Sequence, residues 1–295
     1  MARTGLLILV ALLAAGCAGN VREPAPVDLG RVRYPLDAYD LTDAELETTI
    51  RARYLLTGRC AAKFGAVLPA LPQGPRRVPY LDRYGLYDEA TARKWGYRLS
   101  VPGIVAPPWE GMIDVESHAY LVVNGTDARG RPAGIDGLPA GGCRAAANRV
   151  LERGTSPDTG NPVPRLDRQG WEIAQRHPSV LKAADAWKSC MAHAGYRFED
   201  PVKAPYVHWS RARNGDPHPT AAERRAALDD IRCKNASRFV RASVDAELAT
   251  QRTLAARHLD RLERHRRRLD RIVRNAADVL GAGQGQGDRK STSGK

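Results

Sequence analysis

The chain has 295 residues, of which 43% are hydrophobic, and this content suits a globular core, so the composition excludes a wholly disordered chain. The net charge is +13, from 46 Lys and Arg against 33 Asp and Glu. Arginine supplies 38 of the basic residues, alongside abundant Ala, Gly and Pro, which is typical of high genomic GC content. The charge alone therefore does not identify an anionic partner.

The chain opens on a short export leader. Arg3 and the amino terminus supply positive charge, residues 6–14 form an apolar stretch, and small residues follow before Cys17. The apolar stretch is too short to cross a bilayer as a helix. The leader therefore predicts export, and the run LAAGC that ends on Cys17 resembles the lipobox of bacterial lipoproteins.

That resemblance implies a lipid anchor. In such lipoproteins the cysteine is diacylglycerated and the leader is cut before it, so residues 1–16 would be a signal peptide. Acylated Cys17 would hold the protein in the lipid bilayer, on the extracytoplasmic face of the cell membrane. Residues 17–32 lack apolar periodicity and predict a lipidated, flexible tether. Ala14 stands where leucine is commoner, and the alternative is a secreted protein in which Cys17 is incidental.

Residues 33–153 predict a first helical unit. Thr42 and Glu45 form a capping box, and the apolar spacing behind them predicts a helix from Thr42 to about Phe64. Prolines over residues 66–80 predict an irregular loop, and a short helix follows through LYDEATARKWGYR.

A small β element and a linker come next. Alternation of apolar and polar residues over 112–121 predicts a strand, and the following NGTDARG run supplies the turn residues of a hairpin. A glycine-rich approach then leads into a helix that runs from Cys143 to about Glu152. The polar residues 154–178 predict a linker between two units.

The second unit, residues 179–280, is predicted to be helical and to end in a long basic helix. A helix is expected from Ser179 to Ala194, and a second capping box at Thr220 and Glu223 opens another. Behind it runs a heptad seam. Its members are Leu248, Ala255, Leu259, Leu262, Arg266, Leu269, Val273, Ala276 and Leu280. The alanines of the seam favour packing within the chain, and a homodimeric coiled coil is the alternative. Residues 281–295 are predicted to form a disordered tail.

Four cysteines remain once Cys17 is assigned to lipid, and an even number in an oxidising compartment predicts disulfides. Three pairings are possible. The runs CAAKFG and CMAHAG share one pattern, whereas CRAAANRV and CKNASRFV share another, and the two patterns alternate along the chain. This order predicts Cys60–Cys143 and Cys190–Cys233, as in a duplicated helical pair. Zinc held by four cysteines is the alternative, but no CxxC spacing is present.

One polar cluster is a candidate for chemistry. On the predicted strand, Asp114, Glu116 and His118 would share one face, where they could hold a divalent cation or act as acid and base. The alternative is the solvated face of a half-buried strand. The chain has no G-x-S-x-G, H-E-x-x-H or P-loop motif, so we assign no catalytic residue, metal or cofactor.

The C-terminal helix is the second candidate. Between Gln251 and Asn275 the chain carries nine arginines against Asp260, Glu263 and Asp270. The candidate anion contacts are Arg264, Arg266, Arg267, Arg268 and Arg271. Outside the cell the available polyanions are phospholipid headgroups and phosphate-rich wall polymers, so no nucleic-acid partner is expected. The alternative is a solvated helix face.

Taken together, the four cysteine motifs also resemble those of a protein family. The run YPLDAYDLTDAELETTIRARYLLTGRCAAKFG, then GLPAGGCRAAANRV, AWKSCMAHAGYRF and LDDIRCKNASRFV, resembles exported proteins and lipoproteins of unknown function from high-GC Gram-positive bacteria. The resemblance implies export, paired cysteines and a mostly helical fold.

The predicted fold is therefore a mostly α, disulfide-stabilised domain with a small β-hairpin and a long C-terminal helix. The leading functional hypothesis is a membrane-anchored, non-enzymatic lipoprotein that binds or scaffolds in the cell envelope, and it predicts no buried polar constellation. The alternatives are a metal-dependent hydrolase that uses Asp114, Glu116 and His118, and electrostatic adhesion to anionic lipid or wall polymer through the arginine-rich helix.

Overall fold

A computed structural model of the chain describes residues 27–73, 81–97, 108–157, 160–212, 216 and 218–291. The predicted signal peptide, Cys17 and most of the predicted tether lie outside the described residues. The described residues are mostly helical, and their α-helices are numbered in chain order. They are α1 (Asp43–Ala62), α2 (Leu81–Tyr84), α3 (Glu89–Trp95), α4 (His118–Asn124), α5 (Gly142–Leu151), α6 (Val163–Ala174), α7 (Pro178–His193), α8 (Ala204–Ala212), α9 (Ala221–Ser237), α10 (Phe239–Arg257) and α11 (Leu259–Ser291).

Local capping signals placed the first helix correctly. The hydroxyl of Thr42 accepts a hydrogen bond from the Glu45 N–H, and the Glu45 carboxylate accepts one from the Thr42 N–H at 2.8 Å. These two bonds satisfy backbone donors that a helix start otherwise leaves unpaired. The predicted helices around α1, α3, α5 and α7 are confirmed.

The predicted β-hairpin is wrong, because the described residues contain no strand. Residues 109–112 form a 3-10 helix, and the second half of the predicted strand belongs to α4. Ser117 caps α4 by accepting a hydrogen bond from the Tyr120 N–H, which converts an alternating pattern into a helix start. Near the predicted turn residues NGTDARG, Thr126 and Pro132 form an isolated antiparallel β-bridge.

Two glycines allow the end of α4 to pack closely against the start of α5. Gly125 ends α4 and Gly142 begins α5, and both have φ of +73°. A Cβ on Gly125 would lie 2.5 Å from the Gly142 nitrogen, closer than any side chain tolerates. The glycine-rich approach to Cys143 is therefore what lets α5 lie against α4 and brings Cys143 into the core.

Parts of the predicted linker and of the predicted tether belong to the folded domain. Residues 154–178 contain α6, which packs along α10 with Leu166 fully buried. The amphipathic spacing of α6 is not evident in the sequence, because it lies among polar residues and prolines. The tether prediction extended to residue 32, but Leu29 is already 2% exposed and lies in the main core cluster with Phe239.

The long C-terminal helical stretch is three helices and not one. Arg238, with φ of 56°, separates α9 from α10, and His258 separates α10 from α11. The seam of α11 packs within the chain, where Leu262 and Ala276 are fully buried. Since α11 lies along α1 and α5, it joins the two predicted units, and it continues to Ser291 through most of the predicted disordered tail.

Both predicted disulfide pairs are present. Cys60 of α1 is bonded to Cys143 of α5, and Cys190 of α7 is bonded to Cys233 of α9. Each bond crosses a pair of packed helices, and Cys143 and Cys233 are fully buried. The alternation of the cysteine motifs along the chain therefore predicted the connectivity.

Candidate functional site: the outer arginine face of helix α11

The structure does not bring Asp114, Glu116 and His118 together as a polar row. Asp114 accepts a hydrogen bond from the Glu116 backbone N–H at 3.0 Å, and the Nε2 atom of His118 lies 2.8 Å from the carbonyl oxygen of Phe64. No group of three His, Cys, Asp or Glu side chains in the described parts of the chain is arranged to hold a metal ion. The shared strand face on which the hydrolase hypothesis depended does not exist.

A first buried polar network lies around Glu247, which is fully buried on α10. Its carboxylate accepts a hydrogen bond from the Tyr84 hydroxyl at 2.6 Å and pairs with Arg83 at 3.0 Å. Gln251 donates to Glu247 and to Asp167 of α6, at 3.0 and 2.9 Å. The network therefore joins α2, α6 and α10.

Burial decides the electrostatics of this network. Desolvation raises the pKa of Glu247, and the nearby Arg83 guanidinium opposes that rise. Desolvation and the Glu247 charge also raise the pKa of the Tyr84 phenol, which keeps it protonated as a donor. Because Glu247 is closed to solvent and its oxygens are engaged by Tyr84, Arg83 and Gln251, the network has the properties of a structural clamp.

A second buried network lies on α9. Asp230 and Lys234 are 0% and 1% exposed and form an ion pair at 3.0 Å. The indole N–H of Trp187 donates to Asp230 at 2.8 Å, and Lys234 donates to the Leu86 carbonyl at 2.9 Å. The expectation of no buried polar constellation is therefore wrong, although Glu247 and Asp230, at the centres of the two networks, are closed to solvent.

Two of the predicted anion contacts serve the fold instead. Arg266 forms ion pairs with Glu45 and Asp270, each at 2.6 Å, and donates to the Asp40 carbonyl. Arg268 is 10% exposed, pairs with Glu152 at 3.2 Å and donates to Thr155 at 2.5 Å. These two arginines attach α11 to the start of α1 and to the end of α5.

The Glu45–Arg266 pair predicts a pH-dependent contribution to stability. Desolvation raises the pKa of Glu45, but hydrogen bonds from Arg266 and Thr42 outweigh it and hold that pKa below its ordinary value of 4.5. A lowered folded-state pKa gives stability that is present above the ordinary value and is lost as the pH falls through the folded one. We expect Glu45→Gln to cost about 1 kcal/mol at pH 7.

Urea unfolding at pH 7 and at pH 3 tests this prediction. The cost of Glu45→Gln should shrink as the pH falls from 7 to 3, because protonation of the wild-type carboxylate removes the charge that Arg266 pairs with. The matched control is Glu47→Gln, which removes the more exposed i,i+4 partner of Arg51 on the same helix. An equal cost at both pH values would show that Glu45 acts through packing and not through its charge.

Four other arginines form the outer arginine face, defined here as Arg264, Arg267, Arg271 and Arg274. All four are exposed on the side of α11 that points away from α1 and α5. Arg267 pairs with Glu263 at 3.3 Å, whereas the other three form no ion pair within the described residues. Steps of three and four residues keep them on one side of the helix, over about 15 Å of its axis.

Two acidic residues bound this face. Asp260 and Asp278 are exposed at its two ends, and the Glu263 carboxylate lies against Arg267, so the arginines of this face without an acidic partner among the described residues are Arg264, Arg271 and Arg274. Sequence reasoning had missed Arg274, although its helical spacing from Arg267 and Arg271 indicates it. It had included Arg266 and Arg268, whose acidic partners Glu45 and Glu152 lie far away in the sequence.

Comparisons with known proteins do not place the chain in a family. No family model, curated protein or solved structure matches it. Among the described residues, no helix is both long and apolar enough to span a bilayer. The leader and the geometry of α11 are therefore the features of the chain that bear on its function.

Proposed function

We propose that the protein is an extracytoplasmic lipoprotein, tethered to the cell membrane through acylated Cys17, with a non-enzymatic binding role in the cell envelope. Its folded domain binds a phosphate-rich wall polymer through the outer arginine face. One observation carries this proposal. The fold directs Arg266 and Arg268 inward to acidic partners but leaves four neighbouring arginines exposed on the opposite side of the same helix.

The arrangement favours a linear polyanion over a single small anion. Exposed guanidinium groups are individually weak sites, because water and salt screen each contact. A polymer that contacts several of them gains through effective concentration, since each later contact is intramolecular. Arg264, Arg267, Arg271 and Arg274 lie in line, so a chain with regularly spaced phosphates can follow them along the helix.

The compartment decides between polyanions. Export excludes the nucleic acids that such a helix would meet inside a cell, and a lipid-anchored domain lies within the wall polymers above the membrane. The resemblance to exported proteins of high-GC Gram-positive bacteria supports the same compartment. The hydrolase alternative lacks a comparable geometric feature among the described residues, whereas a headgroup binder would use the same outer arginine face, so the test includes vesicles.

The test is a charge-matched pair of triple variants. Arg264→Gln/Arg271→Gln/Arg274→Gln removes three exposed charges from the outer arginine face. The control, Arg165→Gln/Arg168→Gln/Arg252→Gln, removes three exposed charges from α6 and α10. Both variants have the same net charge, so a difference between them reports position. Binding is measured by calorimetry against long-chain inorganic polyphosphate, orthophosphate and vesicles that contain anionic phospholipid.

We expect the α11 variant to bind polyphosphate at least tenfold more weakly than wild type and to show a shallower salt dependence. The slope should fall by about 2, from three lost phosphate contacts at roughly 0.7 each. The control should lose much less, and orthophosphate should bind poorly to all three proteins. Equal losses of polyphosphate affinity in both variants would show that binding depends on net charge and not on the position of the arginines. Stronger binding to vesicles than to polyphosphate would indicate that the outer arginine face binds the membrane surface and not a wall polymer.

A further inference from the structure

The predicted membrane anchor joins the folded domain at one end of α10. The described residues begin at Val27, which packs against the main core cluster. Leu29 is 2% exposed and lies in that cluster with Phe239 and Val244, from the first two turns of α10. The predicted tether therefore enters the folded domain beside the start of α10.

From this point the chain runs along α10 to the opposite end of that helix. The Leu36 N–H donates to the side-chain oxygen of Gln251, on α10, at 3.3 Å. The Asp40 carbonyl then accepts a hydrogen bond from Arg266, on α11, at 2.6 Å. Since α10 has 19 residues, its two ends are about 28 Å apart. The point of tether entry and the start of α11 therefore lie at opposite ends of α10.

The outer arginine face lies beyond the end of α10 that is remote from the tether. From His258 onward α11 leaves α10 and packs along α1 and α5. Its buried residues Leu262 and Ala276 belong to two other core clusters, and the main core cluster contains no residue of α11 among the described ones. The half of the domain that carries the arginines is therefore not the half that the tether enters.

The tether is short compared with this separation. Ten residue steps connect Cys17 to Val27. As the flexible coil that the sequence predicts, ten steps span about 16–19 Å on average. When fully extended they reach at most about 35 Å. Bringing the outer arginine face down to the bilayer would lift Val27 away from it and stretch the tether toward full extension, which costs conformational entropy.

The charges around the point of tether entry are nearly balanced. We define the tether-proximal end as residues 27–33, 87–88 and 236–245. Asp28 pairs with Arg31 at 3.1 Å, and Asp245 lies 4.0 Å from Arg241. The tether-proximal end therefore neither repels anionic headgroups nor binds them strongly, so its orientation depends on the tether and not on charge. Its exposed charged groups are four arginines and three aspartates, namely Arg31, Arg33, Arg238, Arg241, Asp28, Asp88 and Asp245.

We propose that the tether-proximal end faces the bilayer and that the tether holds the outer arginine face away from the headgroups. This orientation selects the partner of the outer arginine face, because a wall polymer above the membrane reaches it and the anchoring bilayer does not. The inference rests on the acylation of Cys17 in the proposed function, but it does not depend on polymer binding.

Short-range fluorescence quenching on the full acylated chain tests the orientation. Two exposed alanines provide matched positions for a fluorophore, Ala236→Cys on the last turn of α9 and Ala277→Cys beyond Arg274 on α11. The labelled proteins are reconstituted into neutral or anionic vesicles whose headgroups carry a nitroxide quencher. We expect the label at position 236 to lose most of its fluorescence and the label at position 277 to keep it. Both results should be the same at low and at high salt, because salt does not screen a covalent tether.

A variant with a longer tether tests whether its length is the cause. About thirty Gly and Ser residues inserted after Arg22 would double the average span to about 35 Å, so that the outer arginine face can reach anionic headgroups. In that variant the label at position 277 should be quenched on anionic vesicles at low salt. Adding Arg264→Gln/Arg271→Gln/Arg274→Gln should prevent this quenching. A label at position 277 that stays fluorescent on the longer tether would show that tether length does not hold the face away.

The outcomes distinguish this inference from the proposed function. Flotation with the vesicles reports the anchor, and a chain that does not float would overturn both. Equal quenching at the two positions with the natural tether, or no quenching at position 236, would overturn the orientation alone. Failure to bind polyphosphate in the separate calorimetric experiment would overturn the polymer as partner and leave the orientation standing.

Discussion

Replacing Cys190 and Cys233 with alanine is expected to lower the free energy of unfolding by about 4 kcal/mol, because the bond closes a loop with a sequence separation of 43. In the chain-entropy description, a cross-link stabilises mainly by restricting the unfolded chain. The alanine pair removes that restriction, and it also empties the space of the two sulfur atoms at a site where Cys233 is fully buried. This is one of the two largest effects that we predict.

The other disulfide should behave in nearly the same way. Cys60–Cys143 closes a loop with a separation of 83, and doubling a loop adds only about 0.6 kcal/mol. Two bonds that differ almost twofold in separation should therefore differ little in their contribution. A much larger loss for one of them would indicate that its cysteines contribute through packing.

Urea unfolding of wild type and both double variants measures these losses, with and without reductant. Reductant should destabilise wild type through both bonds and each double variant through the one bond that it keeps. Because Cys143 and Cys233 are fully buried and Cys60 and Cys190 are partly buried, reduction of the native protein should be slower than reduction in urea. Single variants such as Cys190→Ala serve as controls, since each must lose as much as its double variant. Stability that does not respond to reductant would contradict the prediction.

Local signals in the sequence predicted the helices but not their partners. The capping box at Thr42 and Glu45 is formed by residues three apart, so it is visible without tertiary structure. The similar pair at Thr220 and Glu223 is only half a box. Thr220 does cap α9, but the Glu223 carboxylate accepts from the backbone N–H of Tyr97, 126 residues away. The Glu223 side chain that would complete the capping box is therefore bound to a residue distant in the sequence.

The strand prediction failed for a related reason. Alternation over residues 112–121 is ambiguous in a segment this short, and Ser117 is a helix cap within it. The cysteine pairing succeeded because motif order along the chain carries information about topology. No such order exists for the buried networks, where Tyr84 and Glu247 are 163 residues apart.

The outer arginine face was predicted only in part. Helical spacing places Arg264, Arg267 and Arg271 on one side of α11, and that much follows from the sequence. It does not reveal which side faces α1 and α5, so Arg266 and Arg268 were grouped with the exposed ones. Their acidic partners on other helices decide the difference between a structural arginine and a binding one.

Lys234→Met is expected to cost about 3–5 kcal/mol, the usual loss when one partner of a buried ion pair is removed. Lys234 and Asp230 are almost completely buried, and their charges are 3.0 Å apart. Methionine fills a similar volume, so packing is largely kept. The variant leaves the Asp230 charge uncompensated and the Leu86 carbonyl without its donor.

Two matched variants separate the charge from the side-chain volume. Lys182→Met makes the same change at an exposed position of α7 and should be nearly neutral. Adding Asp230→Asn to Lys234→Met removes the stranded charge and keeps an oxygen for the Trp187 indole N–H. The double variant should therefore be more stable than Lys234→Met alone. If it is equally unstable, the loss comes from packing and not from charge.

The pH dependence gives the sharpest test of this pair. In the wild-type protein desolvation raises the pKa of Asp230, and the Lys234 charge opposes that rise. Without Lys234 the folded-state pKa of Asp230 rises further above its unfolded value, so the variant binds a proton on folding. Stability that depends on such a proton increases as the pH falls. The deficit of Lys234→Met relative to wild type should therefore shrink as the pH falls through the interval between the folded and unfolded pKa values of Asp230, whereas a deficit caused by packing would stay constant.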